Sequence, residues 1–184
     1  PAPVQRAIMD GLEEAAVTLL RLDAGMDSGP VLAQLPVKIE KSDNTGTLLQ
    51  KCAEVGTDAL AYYLCDLPDS EWKFKPQPTE GISLAPKIEK SEGLLDWREP
   101  ASKLSCLVRG IGAAPGTFCL TRGKRLRVHE AAPVDGPSGE AGAIVAFADG
   151  FPVVACGTGA LVLLKVQPEG KRVQRAAEWL RAGG

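Results

Sequence analysis

The sequence predicts an α/β segment joined by a proline-rich linker to a small β-rich domain. Three observations predict it. The first 66 residues read as helix, strand, loop, strand and long helix. Residues 67–81 hold three prolines and no apolar periodicity. Beyond them come short apolar runs separated by glycine-bearing turns. A chain of 184 residues with 45% hydrophobic and 24% charged side chains can bury a core and is not of disordered composition.

Residues 4–10 carry Val4, Ala7 and Ile8 on one helical side and stop at Gly11. Residues 17–22 are rich in apolar and β-branched side chains, which predicts a strand. The next eight residues, Asp23-Ala24-Gly25-Met26-Asp27-Ser28-Gly29-Pro30, form a loop by composition. A second strand follows over 31–39. Over 45–66 the spacing of Leu48, Cys52, Val55, Ala59 and Tyr62 or Tyr63 predicts a long helix with one apolar face. Either Thr45 or Thr47 is placed to cap it, the latter with Gln50 in capping-box register. Two strands and one long helix are too few for an independent parallel sheet, so exposed apolar edges are expected.

The second part begins with a short helix over 99–108, ending near Gly110. Apolar runs at 117–120, 126–128, 143–147, 153–156 and 161–166 then predict five strands. Turns at Arg122-Gly123-Lys124, Asp149-Gly150 and Gly157-Thr158-Gly159 separate them, as in a small barrel or sandwich. A last helix is predicted over 173–181.

Several function classes find no support. No run approaches a membrane span of about 20 apolar residues. The N-terminus has no signal-peptide pattern and no initiator Met, so the expectation is that something upstream has been removed. Five scattered cysteines without a C-x-x-C pair predict reduced thiols and no zinc site. No P-loop or H-E-x-x-H occurs. The single histidine, His129, falls in a predicted strand, where a surface or rim position is commoner than a catalytic one.

Two constellations remain. Asp23 and Asp27 flank a flexible loop after a strand, where α/β domains place their sites; the alternative is that both satisfy turn N–H groups. Without a third ligand they make no metal site. The charge is also divided. Residues 1–80 hold 7 Lys and Arg against 13 Asp and Glu, whereas residues 81–184 hold 14 against 10. Within the basic part Arg122, Lys124, Arg125 and Arg127 cluster at one hairpin, and Lys171, Arg172 and Arg175 at the last helix. Lys87, Lys90, Arg98, Lys103 and Arg109 surround the linker exit. Such density either neutralises phosphates or is an ordinary solvated surface.

Several blocks resemble the methionyl-tRNA formyltransferases. They are Pro1-Ala2-Pro3-Val4-Gln5-Arg6-Ala7-Ile8, Gly25-Met26-Asp27-Ser28-Gly29, Ala85-Pro86-Lys87-Ile88 with Asp96-Trp97, Gln167-Pro168-Glu169-Gly170-Lys171-Arg172 and Leu180-Arg181-Ala182-Gly183. They stand in the family's order and cover nearly the whole chain. The resemblance implies the C-terminal portion of a Rossmann-like formyltransferase domain over 1–67, a linker over 68–81, and an OB-like tRNA-binding barrel over 82–184. It implies transfer of a formyl group from 10-formyltetrahydrofolate, as substrate, to the α-amine of methionyl initiator tRNA. By the same resemblance Asp27 is catalytic, and Asp23, Gly25, Met26 and Gly29 belong to the folate loop. Lys87, Lys90, Arg109, Arg122, Lys124, Arg125, Lys171 and Arg172 would meet tRNA. A metal is not expected; a cytoplasmic monomer is.

The family's catalytic Asn and His lie upstream of the position matching Pro1, so this chain alone is expected to be inactive. After Arg109-Gly110 the family usually has Asn-Pro-Trp-Pro, whereas this chain has Gly112-Ala113-Ala114-Pro115, without the aromatic. Two other readings stay open: a formyltransferase acting on a sugar-nucleotide amine, and a nucleic-acid binding module without catalysis.

Overall fold

A computed structural model describes residues 1–183, apart from the side chain of Asp66. Helix α1 (Pro3–Met9) begins on proline at its first position and ends where Gly11 turns with φ +71°. Strands β1 (Glu14–Leu20) and β2 (Val31–Lys38) pair antiparallel, from Glu14 opposite Lys38 to Leu20 opposite Val31. Helix α2 (Thr45–Ala61) lies on this hairpin and continues as one stretch of π-helix, Tyr62–Asp66. Ile8, Val37, Ile39 and Leu48 form the core between them, with Cys52 and Val55 packed against it. The predicted apolar face of α2 is the buried one. Its cap differs from expectation. The Asn44 side chain accepts from the Gly46 and Thr47 N–H groups, and the Thr47 hydroxyl accepts from Asn44 N–H in return. The capping box is therefore present three residues earlier than the one drawn from Thr47 and Gln50.

The linker is partly ordered. Lys75 exchanges both backbone hydrogen bonds with Val31, and Trp72 stands edge-on between Tyr63 and Phe74.

Helix α3 (Ala101–Ile111) turns Ala101, Leu104, Val108 and Ile111 onto the second sheet. Its strands are β3 (Thr117–Thr121), β4 (Lys124–Val134), β5 (Ile144–Ala148), β6 (Phe151–Ala155), β7 (Ala160–Pro168) and β8 (Gln174–Arg175). Helix α4 (Ala176–Arg181) ends the described chain. The order is β3-β4-β7-β6-β5, with β8 added to β7 beyond β6, and the named strands all pair antiparallel. Strand β7 is central, and Ala160, Leu161 and Val166 on it are fully buried. The core holds Leu95, Leu104, Val108, Leu126, Val128, Leu161 and Leu163.

One architectural expectation needs correction. Among the described residues the pairing path runs from β3 to β5 and does not return, so the sheet is open and no closed barrel exists. In the first part the described residues form one sheet, the antiparallel β1–β2 hairpin, in keeping with a segment too short to build a parallel sheet. Exposed apolar edges were expected there, and Leu22 (87% exposed) and Leu64 (67%) are exposed beside this hairpin.

The two parts meet through α1. Gly110 on α3 is a packing point: a Cβ there would lie 2.6 Å from Met9 Cγ and 2.9 Å from the Gln5 carbonyl. Arg6 forks onto Glu92, 2.5 and 2.9 Å, and donates further to the Pro86 and Lys87 carbonyls. Its guanidinium holds the Glu92 carboxyl below the usual range.

Candidate functional site

The loop after β1 is held by its own side chains. Asp23 Oδ1 accepts from Gly25 N–H (3.0 Å) and the Ser28 hydroxyl (2.8 Å), so Asp23 does serve turn N–H groups. Gly29 is required by close approach, because a Cβ would overlap the Arg21 carbonyl. Gln77, from the linker, donates its amide to the carbonyls of Asp27 (2.6 Å) and Gly29 (2.8 Å). Asp27 adopts φ +52° and is exposed, as is Met26. Asp27 stands on the rim of a groove of about 590 Å³ whose walls include Leu20, Leu60, Tyr63, Trp72 and Phe74. The two carboxylates thus divide: one locks the loop, the other faces outward.

The basic residues sort as sharply. The β4–β7 register sets Leu126 opposite Pro168, and Glu169 N–H donates to the Arg125 carbonyl. This pairing brings the hairpin after β3 beside the turn after β7. Arg122, Lys124, Arg125, Lys171 and Arg172 consequently line one cavity of about 690 Å³, closed on a third side by α4. Arg122 donates to the Gly183 carbonyl (2.8 Å), tying the end of α4 to the hairpin. Among the described residues none of the five forms an ion pair, whereas Arg98, Lys103 and Lys165 elsewhere all do. Arg125 stacks 3.6 Å above the Phe118 ring.

Arg109, Lys87 and Lys90 stand apart from this group. Arg109 donates from Nη1 to the Asp43 carbonyl (2.6 Å) and from Nη2 to Cys106 Sγ, so it bridges α3 to the start of α2. Asp43 is buried there. Burial pushes its carboxyl up, but hydrogen bonds from Lys51 Nζ, Glu40 N–H and the Thr47 hydroxyl outweigh this and hold it below the usual range. Lys87 and Lys90 are exposed at the linker exit. His129 on β4 bonds through Nε2 to Gln167 (3.0 Å) in a cleft also lined by Ala113 and Ala114, where the expected aromatic is missing.

Sequence reasoning missed Gln77, Phe118 and Trp179. Gln77 sits in a proline-rich stretch with no periodicity. Phe118 and Trp179 lie on a strand and a helix where an aromatic reads first as core. The cysteines are unbridged, and burial pushes the Cys119 thiol up to about 11. Among the described residues no His, Cys, Asp and Glu cluster could hold a metal ion, and no helix is long and apolar enough to cross a membrane.

Comparison with known proteins places both parts. Residues 1–64 match the formyl transferase family and residues 87–183 its C-terminal domain. The chain is 43% identical over 180 residues to a methionyl-tRNA formyltransferase of Myxococcus xanthus, covering 98% of this chain and 57% of that one. It is 39% identical to that of Paracoccus denitrificans, covering 98% and 58%. The chain therefore spans little more than half the length of the relatives it matches. In fold it resembles HypX from Aquifex aeolicus (TM-score 0.70, 20% identity, 100% of this chain and 33% of that one). It also resembles WlaRD, a sugar 3N-formyl transferase (TM-score 0.69, 15% identity, 92% and 60%). With family models matching residues 1–64 and 87–183, well over half its length, the chain belongs to the formyl transferase family.

Proposed function

We propose that this chain serves formyl transfer from 10-formyltetrahydrofolate to the α-amine of methionyl initiator tRNA, as part of a cytoplasmic, monomeric enzyme. Residues 1–67 belong to the catalytic domain, residues 68–81 connect, and residues 82–184 form an OB-like unit that holds the tRNA. The observation that carries this reading is the convergence on one cavity of the second part of five cations that form no ion pair among the described residues. A sugar-nucleotide substrate brings two phosphates, fewer than the five cations that line this face. A polynucleotide meets it with phosphates along its length, and releases counterions on binding.

The chemistry of the step fits Asp27. Attack of an amine on a formyl carbon builds negative charge on oxygen and leaves a proton to be removed. An exposed carboxylate, held on a loop pinned by Gln77, is placed to orient a base or take that proton. Its partners in the family are an Asn and a His, and His129 is committed to Gln167 on the second sheet. The chain alone therefore should bind but not turn over. Purified chain, mixed with initiator methionyl-tRNA and 10-formyltetrahydrofolate, should yield no formyl-methionyl-tRNA. Filter binding of the same tRNA should weaken steeply between about 50 and 200 mM salt. Binding that ignores salt, or no binding at all, would remove the tRNA reading.

A further inference from the structure

The cavity between the β3–β4 hairpin, the turn after β7 and α4 has more than cations. Pro168 and the half-buried indole of Trp179 supply an apolar wall over the buried Leu126, and Arg122, Lys124, Arg125, Lys171 and Arg172 surround it. A surface that only follows a duplex backbone needs charge and hydrogen-bond donors. It has no use for a recessed aromatic wall, because bases in a duplex are stacked on one another. A single-stranded nucleotide presents both chemistries at once, a flat apolar face and a phosphate on either side.

The geometry of Arg125 agrees. Its guanidinium lies 3.6 Å over the Phe118 ring, and its Nε is buried with no hydrogen-bond partner among the described residues. No described side chain takes a hydrogen bond from its Nη atoms either. Stacking thus fixes the plane of the group while leaving its outer donors unspent, the arrangement a planar fork needs to meet a phosphate. Among the described residues Glu169 is the one carboxylate in the lining, against five cations. The cavity volume of about 690 Å³ is enough for one nucleotide.

We infer that this cavity is a subsite for one unpaired ribonucleotide of the bound RNA. Its base lies against Trp179 and its flanking phosphates lie on Arg125, Lys124 and Lys171. The inference rests on the tRNA reading above and names the part of the RNA that the site takes.

Fluorescence anisotropy with a labelled five-nucleotide single-stranded RNA tests it, beside a twelve-base-pair RNA duplex, intact initiator tRNA and inorganic phosphate as competitor. Base–aromatic stacking contributes about 1–3 kcal/mol, so Trp179→Leu should weaken the pentanucleotide about tenfold or more. Duplex binding should change less than about twofold, a bound set by the absence of base stacking there. Trp179→Phe, which keeps a ring, should recover most of the loss, and Arg125→Gln should weaken the pentanucleotide without touching the indole. Melting curves report whether each variant is folded. Unchanged pentanucleotide binding in folded Trp179→Leu and Arg125→Gln would overturn the subsite. So would displacement of the pentanucleotide by phosphate as effectively as by a mononucleotide. If initiator tRNA still binds with its full salt dependence in those cases, only the subsite falls. If wild-type chain fails to bind initiator tRNA, the wider reading falls with it.

Discussion

Asp43 shows how a single buried carboxylate can hold a junction. Its side chain is 6% exposed and receives Lys51 Nζ at 2.6 Å, while its carbonyl receives Arg109. Because its folded pKa is depressed, Asp43 contributes stability that is complete above the ordinary value of about 3.9. That contribution is lost as pH falls through the lower, folded value. Glu92 acts in the same direction through Arg6. Stability measured by urea titration should therefore be flat from neutral pH to about pH 5 and fall below about pH 4, with Asp43→Ala removing part of that acid dependence. At neutral pH Asp43→Ala should cost about 1–3 kcal/mol, since Lys51, Thr47 and Glu40 N–H lose their acceptor. None of this was legible beforehand. Asp43 sits between Ser42 and Asn44 in a stretch that reads as an exposed turn, and the partner of its carbonyl, Arg109, lies 66 residues away.

At the scale of elements, periodicity was a good guide where a face is buried and a poor one where charges alternate. The apolar stripe of α2 was readable because Leu48, Cys52 and Val55 all meet the hairpin. Strand β4 spans eleven residues, Lys124–Val134, yet its apolar run covers only 126–128. Its outward positions are Arg125, Arg127 and His129, which broke the apolar run. Residues 174–175 were read as helix, but they pair with β7, a tertiary contact with no local signature. The α1–α3 contact is also invisible to local patterns, since a glycine near a helix end reads as a stop. Gly110→Ala should push α1 away from α3, because the obstructing Gln5 carbonyl is backbone and cannot rotate aside. The cost should be about 1–3 kcal/mol. A lowered melting temperature with faster amide exchange in α1 would show it; exchange unchanged in α1 would refute it.

For the whole molecule, the charge division seen in composition becomes spatial only through the β4–β7 register. Two basic clusters 46 residues apart meet because Leu126 lies opposite Pro168. Sequence could name Arg122, Lys124, Arg125, Lys171 and Arg172 but could not say that they share a cavity and that Arg109 does not. If each cation meets a phosphate, Lys124→Ala with Lys171→Ala should reduce the slope of log affinity against log salt by about 2. Arg109→Ala should lower stability and leave the slope within experimental scatter. The Arg6 clamp has a consequence for covalent connectivity. Ile82 and Leu84 are 75% and 88% exposed in the segment that joins the two family-matched regions, so a protease should cut there first. Yet Arg6 on Glu92, Ala2 N–H on the Ala85 carbonyl and α1 on α3 all bridge across that segment. A nicked chain should run as two bands on a denaturing gel and as one particle on a sizing column. The peptide bond between the halves is thus dispensable for their association once folding is complete.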